Sequence, residues 1–381
     1  MTYHSATPHA APSDCPPPCS AAPCAASDAP RTRPPRDTAI DLLKIIAIFG
    51  VLLLHSLAAY YDGGKNPPLA VWFQCYMMQS FCVFAVPVFV MCSGAFMLCG
   101  TKDQPPLAFY AKRLPKIVLP LFVWSIVYYI YKVGPGQALR LEAVPVFFRQ
   151  FLEGTVIGNF WFLYMLLGIY LAAPFLQMLM RVTSRGQQWL FVGLSLGLPG
   201  FVELCRPVIA LQLGLSYSMF APYVGYFVLG HLLQTAKPNL RHQAAVFLSL
   251  AVLGMALTMA AQWHVHLLDS RYQFLFLDYP MPNAACIAAA MFLGIRGFRF
   301  AISDRCRRRI SQVGQATYGI YLTHILAKFL LKIGIFGPKL VATDFTPLVG
   351  GPLIATGTFV LSLAMVLVLS RIPLLRKSVG Y

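Results

Sequence analysis

Apolar stretches long enough to cross a lipid bilayer recur about ten times along this chain, and that recurrence leaves few folds open to it. They lie near 39–61, 70–98, 114–133, 156–180, 188–204, 217–235, 244–263, 279–298, 311–334 and 350–371. In hydrocarbon every backbone N–H and C=O must be paired within the protein, so a spanning segment is a helix or part of a closed barrel. These stretches have the length of helices, not of the shorter barrel strands. The sequence therefore predicts an all-α fold, a polytopic membrane helix bundle of about ten transmembrane helices. Composition agrees. The chain is 58% hydrophobic and 11% charged, where a soluble domain carries about 25% charged residues. The second stretch is long and is expected to kink at Pro87. The fifth is the least regular, because Gly197-Leu-Pro199-Gly200 interrupts it.

The charge that remains is ordered. A net charge of +17 could suggest nucleic-acid binding, but the basic residues sit in short loops between apolar spans, as the positive-inside rule predicts. With the N-terminus inside, 20 of the 30 Lys and Arg fall on the inner side and 9 on the outer, with Lys44 inside the first span. Both termini are accordingly expected in the cytoplasm of a multi-pass protein. Residues 1–36, rich in Pro, Ala, Ser and Cys, cannot bury a core and are expected to form a disordered cytoplasmic tail ahead of a membrane domain at 37–375. No apolar stretch opens the chain, so no cleavable signal peptide is expected. The ten cysteines show no zinc-site spacing, and His264 and His266 at i, i+2 do not converge on a helix. Nothing here calls for a metal or a bound cofactor. Nucleotide-binding glycine loops and the HExxH pattern are missing from the sequence.

The first span, from Asp41 to His55, carries a carboxylate, an ammonium and an imidazole. Ionisable groups at membrane depth cost roughly 2.5–3.5 kcal/mol each on insertion scales, so each needs a reason to be there. Lys44 and His55 are eleven residues apart, about three helical turns, which places them on one face roughly 16 Å apart along the axis. Asp41 lies near the same stripe and pairs with Lys44 at i, i+3. A neutral imidazole can take a proton from a hydroxyl or thiol near neutral pH, which makes His55 a candidate general base. The bland alternatives are a satisfied core histidine and an interfacial anchor pair.

Other polar residues recur at membrane boundaries. Arg113 and Lys116 open the third span, three residues apart, and suit either a phosphate-bearing ligand or plain anchoring. The run Arg305-Cys-Arg-Arg-Arg309 suits anionic lipid. Tyr318-Gly-Ile-Tyr321-Leu-Thr-His324 puts a second intramembrane histidine beside a phenol. Asn159-Phe-Trp161 enters the fourth span from the outer side, where an aromatic belt is the ordinary reading.

Taken together these segments resemble the bacterial acyltransferase 3 family of integral-membrane acyltransferases, and most closely its branch that O-acetylates surface polysaccharides such as enterobacterial common antigen. The resemblance covers about residues 36–371. It rests on Lys44-(x10)-His55, where the family more often has Arg, and on Arg113-Leu-Pro-Lys116. Val86-Pro-Val-Phe89…Ser93-Gly94, Trp161-Phe-Leu-Tyr164 with Gly168-Ile-Tyr-Leu171, Tyr226-Phe-Val-Leu-Gly230 and the Tyr318–His324 segment also look like family segments.

The resemblance implies a bundle of about ten helices, an acyl-CoA (acetyl-CoA) co-substrate on the cytoplasmic side, and a hydroxyl acceptor on a glycan or lipid-linked saccharide. It also implies membrane lipid as the surroundings, no nucleic-acid partner, and residence in the bacterial inner membrane. In this reading His55 is the catalytic base, while Asp41, Lys44, Arg113 and Lys116 support or bind the donor. Trp161, Tyr318, Tyr321 and His324 stand on the possible acceptor side. The rivals are a glycan exporter that modifies nothing and a proton-coupled transporter, and an acyl-enzyme on a histidine or on Ser56 stays open. The topology has a direct check. Reporter fusions at Lys237 and Arg271 are expected to give opposite inside and outside signals, and the same signal at both would break the ten-span arrangement.

Overall fold

A computed structural model describes residues 37–61, 67–99, 105–209, 220–236, 240–268, 275–297, 302–335 and 337–380. The expected tail, residues 1–36, lies outside the described residues. Among the described residues the chain is helical, with α1 (Thr38–Leu57), α2 (Leu69–Ser80), α3 (Ala85–Met97), α4 (Pro106–Arg113) and α5 (Pro115–Val133). The short α6 (Pro135–Ala138) and the surface helix α7 (Ala143–Glu153) lead into α8 (Trp161–Val182) and α9 (Arg185–Ile209). Then come α10 (Phe220–Thr235), α11 (Leu240–Leu268), α12 (Pro282–Gly297), α13 (Asp304–Ile333), α14 (Pro347–Arg371) and the short α15 (Pro373–Arg376).

The ends of these helices follow from local chemistry. Asp37 caps α1 by accepting from the Ala39 and Ile40 amides at 3.0 and 3.4 Å, satisfying donors the helix itself cannot. Ser303 caps α13 through the Cys306 amide at 3.3 Å. Proline opens α4, α5 and α14, where its missing N–H costs nothing. Gly154 and Gly334 stop α7 and α13 in the left-handed conformation.

Among the described residues, six helical segments are long and apolar enough to cross a membrane: Thr38–Tyr60, Leu69–Met97, Pro106–Val133, Gly158–Val182, Gln243–Leu267 and Pro347–Arg371. The other four expected spans correspond to α9, α10, α12 and α13, so a helix stands at each of the ten positions. α10 and α12 have only 16 residues each. α13 falls short for another reason: its polar residues, His324 and Lys328 among them, dilute its hydropathy. The second span breaks earlier than expected. A turn at 81–84 separates α2 from α3, and Pro87 sits within the first turn of α3, where proline is tolerated. α9 runs unbroken through Pro199.

The bundle is organised around α1 and α3. Of the six long apolar segments, α2–α3 is the most buried, at 78% of its apolar window, and α11 the least, at 22%, so α11 presents most of its apolar surface outward, as lipid contact requires. α3 and α10 cross at backbone contact, with small residues at the crossing. A Cβ at Gly94 would stand 1.8 Å from the Phe227 carbonyl oxygen, and one at Gly230 would stand 2.0 Å from that of Met91. Gly94→Val is therefore expected to lower the thermal stability of the detergent-solubilised protein by roughly 1–3 kcal/mol, the usual cost of overpacking. Gly193→Ala, whose Cβ would meet nothing within 4 Å, serves as the control.

Candidate active site

Two polar centres lie along α1. The first is near its N-terminus. Asp41 is buried with its Cβ face against Gly314 of α13, where any side chain would collide. One of its oxygens lies 3.7 Å from the Lys44 ammonium. That ammonium also stands over the Phe96 ring of α3 at 5.2 Å, a cation–π contact. Lys44 is thus held between α1 and α3 rather than reaching freely to an interface. Arg113, at the end of α4, is half-buried, and its charge acts on the Tyr170 phenol of α8. Lys116 is exposed.

The second centre is at the other end of α1. The His55 ring stacks on His324 of α13, with centroids 5.1 Å apart and planes at 23°. The side-chain nitrogen of Asn159 stands 3.0 Å from each His55 ring nitrogen. Asn159 is itself held, because the Tyr321 hydroxyl donates to its backbone carbonyl. His324 Nδ1 donates to the Tyr321 carbonyl. A carbonyl only accepts, so the proton is on Nδ1 and Nε2 is left with its lone pair. That Nε2 is buried and has no hydrogen-bond partner. One turn further along α13, the Lys328 ammonium donates to the His55 backbone carbonyl at 2.6 Å.

These groups border a small cavity of about 70 Å³, walled by His55, Asn159, Tyr321, Phe89, Trp161 and Tyr279 among others. Trp161 stacks near Tyr279 at 6.1 Å and Tyr223 at 5.7 Å, forming an aromatic wall. A second, more polar cavity of about 400 Å³ shares Leu54 and Tyr279 with the first and includes Tyr61, Gln79 and Asp278. An imidazole beside a carboxamide, opening on a confined and largely apolar space, can accept a proton from a hydroxyl and steady the charge that develops nearby.

Of the residues singled out in the sequence, the structure brings His55, Trp161 and Tyr321 together at this cavity, with His324 stacked on the His55 ring. Asp41 and Lys44 pair near the other end of α1. Arg113 and Lys116 do not converge, one half-buried and the other exposed. Tyr318 does not line the cavity; its ring packs against Gly380. Sequence reasoning missed Asn159, Tyr279 and Lys328. Lys328 did leave a signal, since it falls four residues after His324 and so on the same helix face.

The fold and this geometry define a polytopic membrane protein with one histidine, His55, at the wall of a small cavity and a second, His324, stacked on it. The chain matches the acyltransferase 3 family, described as an acyltransferase domain, over residues 37–371. It belongs to that family and is a membrane acyltransferase. Neither the curated proteins nor the solved structures give a match.

Asn159 gives the site a test that does not touch the imidazole. Asn159→Leu keeps the side chain's bulk but removes its hydrogen bonds. It is expected to lower acyl transfer per folded molecule by about tenfold, the value of one or two well-placed hydrogen bonds. Folded yield should stay near that of the native chain.

Proposed function

We propose that this protein moves an acyl group, acetyl in the simplest case, from acyl-CoA to a hydroxyl of a cell-surface or lipid-linked saccharide, with His55 as general base. The observation that carries the reading is the His55 imidazole, held within 3.0 Å of the Asn159 carboxamide at the wall of a confined cavity. The family assignment supports acyl transfer as the reaction class. The small volume favours a short acyl group. In this reading the protein sits in the bacterial inner membrane with both termini in the cytoplasm, as its Lys and Arg distribution suggests.

The chemistry follows from the groups present. A thioester is already activated, so the difficult partner is the weakly nucleophilic hydroxyl. His55 takes the hydroxyl proton as the oxygen attacks the thioester carbonyl. Negative charge then develops on the carbonyl oxygen beside Asn159, and the amide N–H that the acceptor hydroxyl displaces from the His55 lone pair can donate to it. Collapse of that intermediate re-forms the carbonyl and breaks the C–S bond, and the departing thiolate recovers the proton from the imidazolium. Lys44 and Arg113 bind the donor's phosphates on the cytoplasmic side, with Lys116 and Asp41 in support. Trp161 and the neighbouring tyrosines offer the acceptor sugar an aromatic wall.

His55→Ala tests the assignment. It is expected to lower kcat by about 10²–10⁴, the usual range for loss of a general base, with folded yield preserved. Transfer should be read as radiolabelled acetyl moved per folded molecule, alongside mass spectrometry of surface glycans from cells with and without the protein. Near-normal transfer by His55→Ala would sink the mechanism. Unmodified glycan in expressing cells would instead remove the saccharide as acceptor.

A further inference from the structure

α11 leaves most of its apolar surface outside the bundle, and part of that surface is hollow. Between α11 and α12 lies a groove of about 600 Å³. Phe247, Leu250 and Leu257 of α11 line it together with Ile287 and Leu293 of α12. Leu250 and Leu257 are exposed, so the groove is open on the outside of the bundle. Gly254, Ala261, Ala289 and Ala290 also line it, and their small side chains leave the space that larger ones would fill. The lining runs from Phe247 to Ala261 along α11, about 21 Å of helix, and from Asn283 to Leu293 along α12, about 15 Å. One leaflet contributes about 15 Å to the roughly 30 Å hydrocarbon core of a bilayer. The groove therefore has the length of one acyl chain lying along the helices.

Its end near the start of α12 is polar, and one group there is unpaired. The Asn283 side-chain nitrogen donates to the Thr258 hydroxyl and to the Phe276 carbonyl, both at 2.9 Å. The Thr258 hydroxyl gives its own proton to the Gly254 carbonyl at 2.8 Å, so it can only accept from Asn283. Both N–H groups of the carboxamide are thus committed, and its orientation is fixed. The Phe276 amide is held in turn by the Gln262 side chain at 3.0 Å. Asn283 Oδ1 is left buried, with no hydrogen-bond partner among the described residues. A buried acceptor without a donor costs roughly 1–3 kcal/mol, so this end of the groove calls for a donor from outside the chain.

We propose that the groove binds one phospholipid from the leaflet that meets the C-terminal end of α11. One acyl chain lies between α11 and α12, and a donor on the headgroup bonds Asn283 Oδ1. That contact sets the lipid class. Phosphatidylethanolamine carries an ammonium that can donate, whereas phosphatidylcholine with the same chains has a trimethylated nitrogen that cannot. The groove shares no lining residue with the His55 cavity, and the proposal goes beyond the acyl-transfer reading without depending on it.

The test uses the full chain, purified in mild detergent, stripped of lipid and then offered equimolar phosphatidylethanolamine and phosphatidylcholine of identical chains. Native mass spectrometry counts the lipid retained per folded molecule. The native chain is expected to retain one phospholipid and to prefer phosphatidylethanolamine about two- to tenfold, one hydrogen bond's worth. Ala289→Phe fills the groove and is expected to lose that lipid. Ala261→Phe, on the opposite wall, makes the same test from α11 and stands in if Ala289→Phe does not fold. Val252→Phe, at an exposed position of α11 outside the groove, is expected to retain the lipid as the native chain does. Equal retention of the two lipids by the native chain overturns the proposal, as does a folded groove-filling variant that keeps its lipid. Loss of the lipid in Val252→Phe as well would mark it as general annular lipid and overturn the site.

Discussion

The ammonium of Lys328 completes the end of α1. A helix leaves its last carbonyls without intrahelical donors, and its C-terminal end carries partial negative charge. α1 ends at Leu57, so the His55 carbonyl is one of these terminal groups. Lys328 donates to it at 2.6 Å from α13. That single contact satisfies a carbonyl, places a cation at the favourable end of the dipole and fixes the register of α13 against α1. His324, one turn before Lys328, is thereby set against the His55 ring. The opposite end of the same helix pair is fixed sterically, where Gly314 leaves room for the Asp41 side chain. Both intramembrane histidines depend on a helix pair pinned at two points.

The pinned pair divides the interior by depth. The charged pair Asp41 and Lys44 lies near the N-terminal end of α1. Aromatic and amide groups gather near its C-terminal end, around His55. Val51, Val86 and Phe89 wall the cavity below His55. Lys44 and His55 are about three turns apart, while the Lys328 ammonium stands at the His55 backbone carbonyl.

Much of the fold could be read in the sequence because hydrocarbon enforces it. Spanning helices follow from apolar length alone, and each of the ten expected spans has a helix near its place. The exceptions are informative. α13 is a poor apolar span because its first turns carry Asp304, Arg305, Arg307, Arg308 and Arg309 and its interior carries His324 and Lys328. The break between α2 and α3 fell ahead of Pro87, since proline in a first turn needs no donor. Of the site, His55 and His324 were legible as costly polar groups in apolar spans. Asn159 was not, because 104 residues separate it from His55 and nothing local distinguishes it from an interfacial aromatic segment. By sequence, Lys328 is one of the nine Lys and Arg counted to the outer side. Only tertiary packing turns it inward.

Confinement bears on what such a site has to prevent. A thioester beside an activated base is open to hydrolysis, and water is the commonest competing nucleophile. The cavity at His55 is small, and its wall is mostly Val51, Leu54, Val86, Phe89, Trp161 and Phe162. Such a lining offers water few partners, and a buried water typically needs two to four. The larger, more polar cavity beyond Tyr279 offers hydroxyl-bearing molecules hydrogen-bond partners in Gln79 and Asp278. On the proposed reading, an acceptor bound there would present its hydroxyl at the His55 cavity, whose largely apolar wall offers a competing water little to hold it.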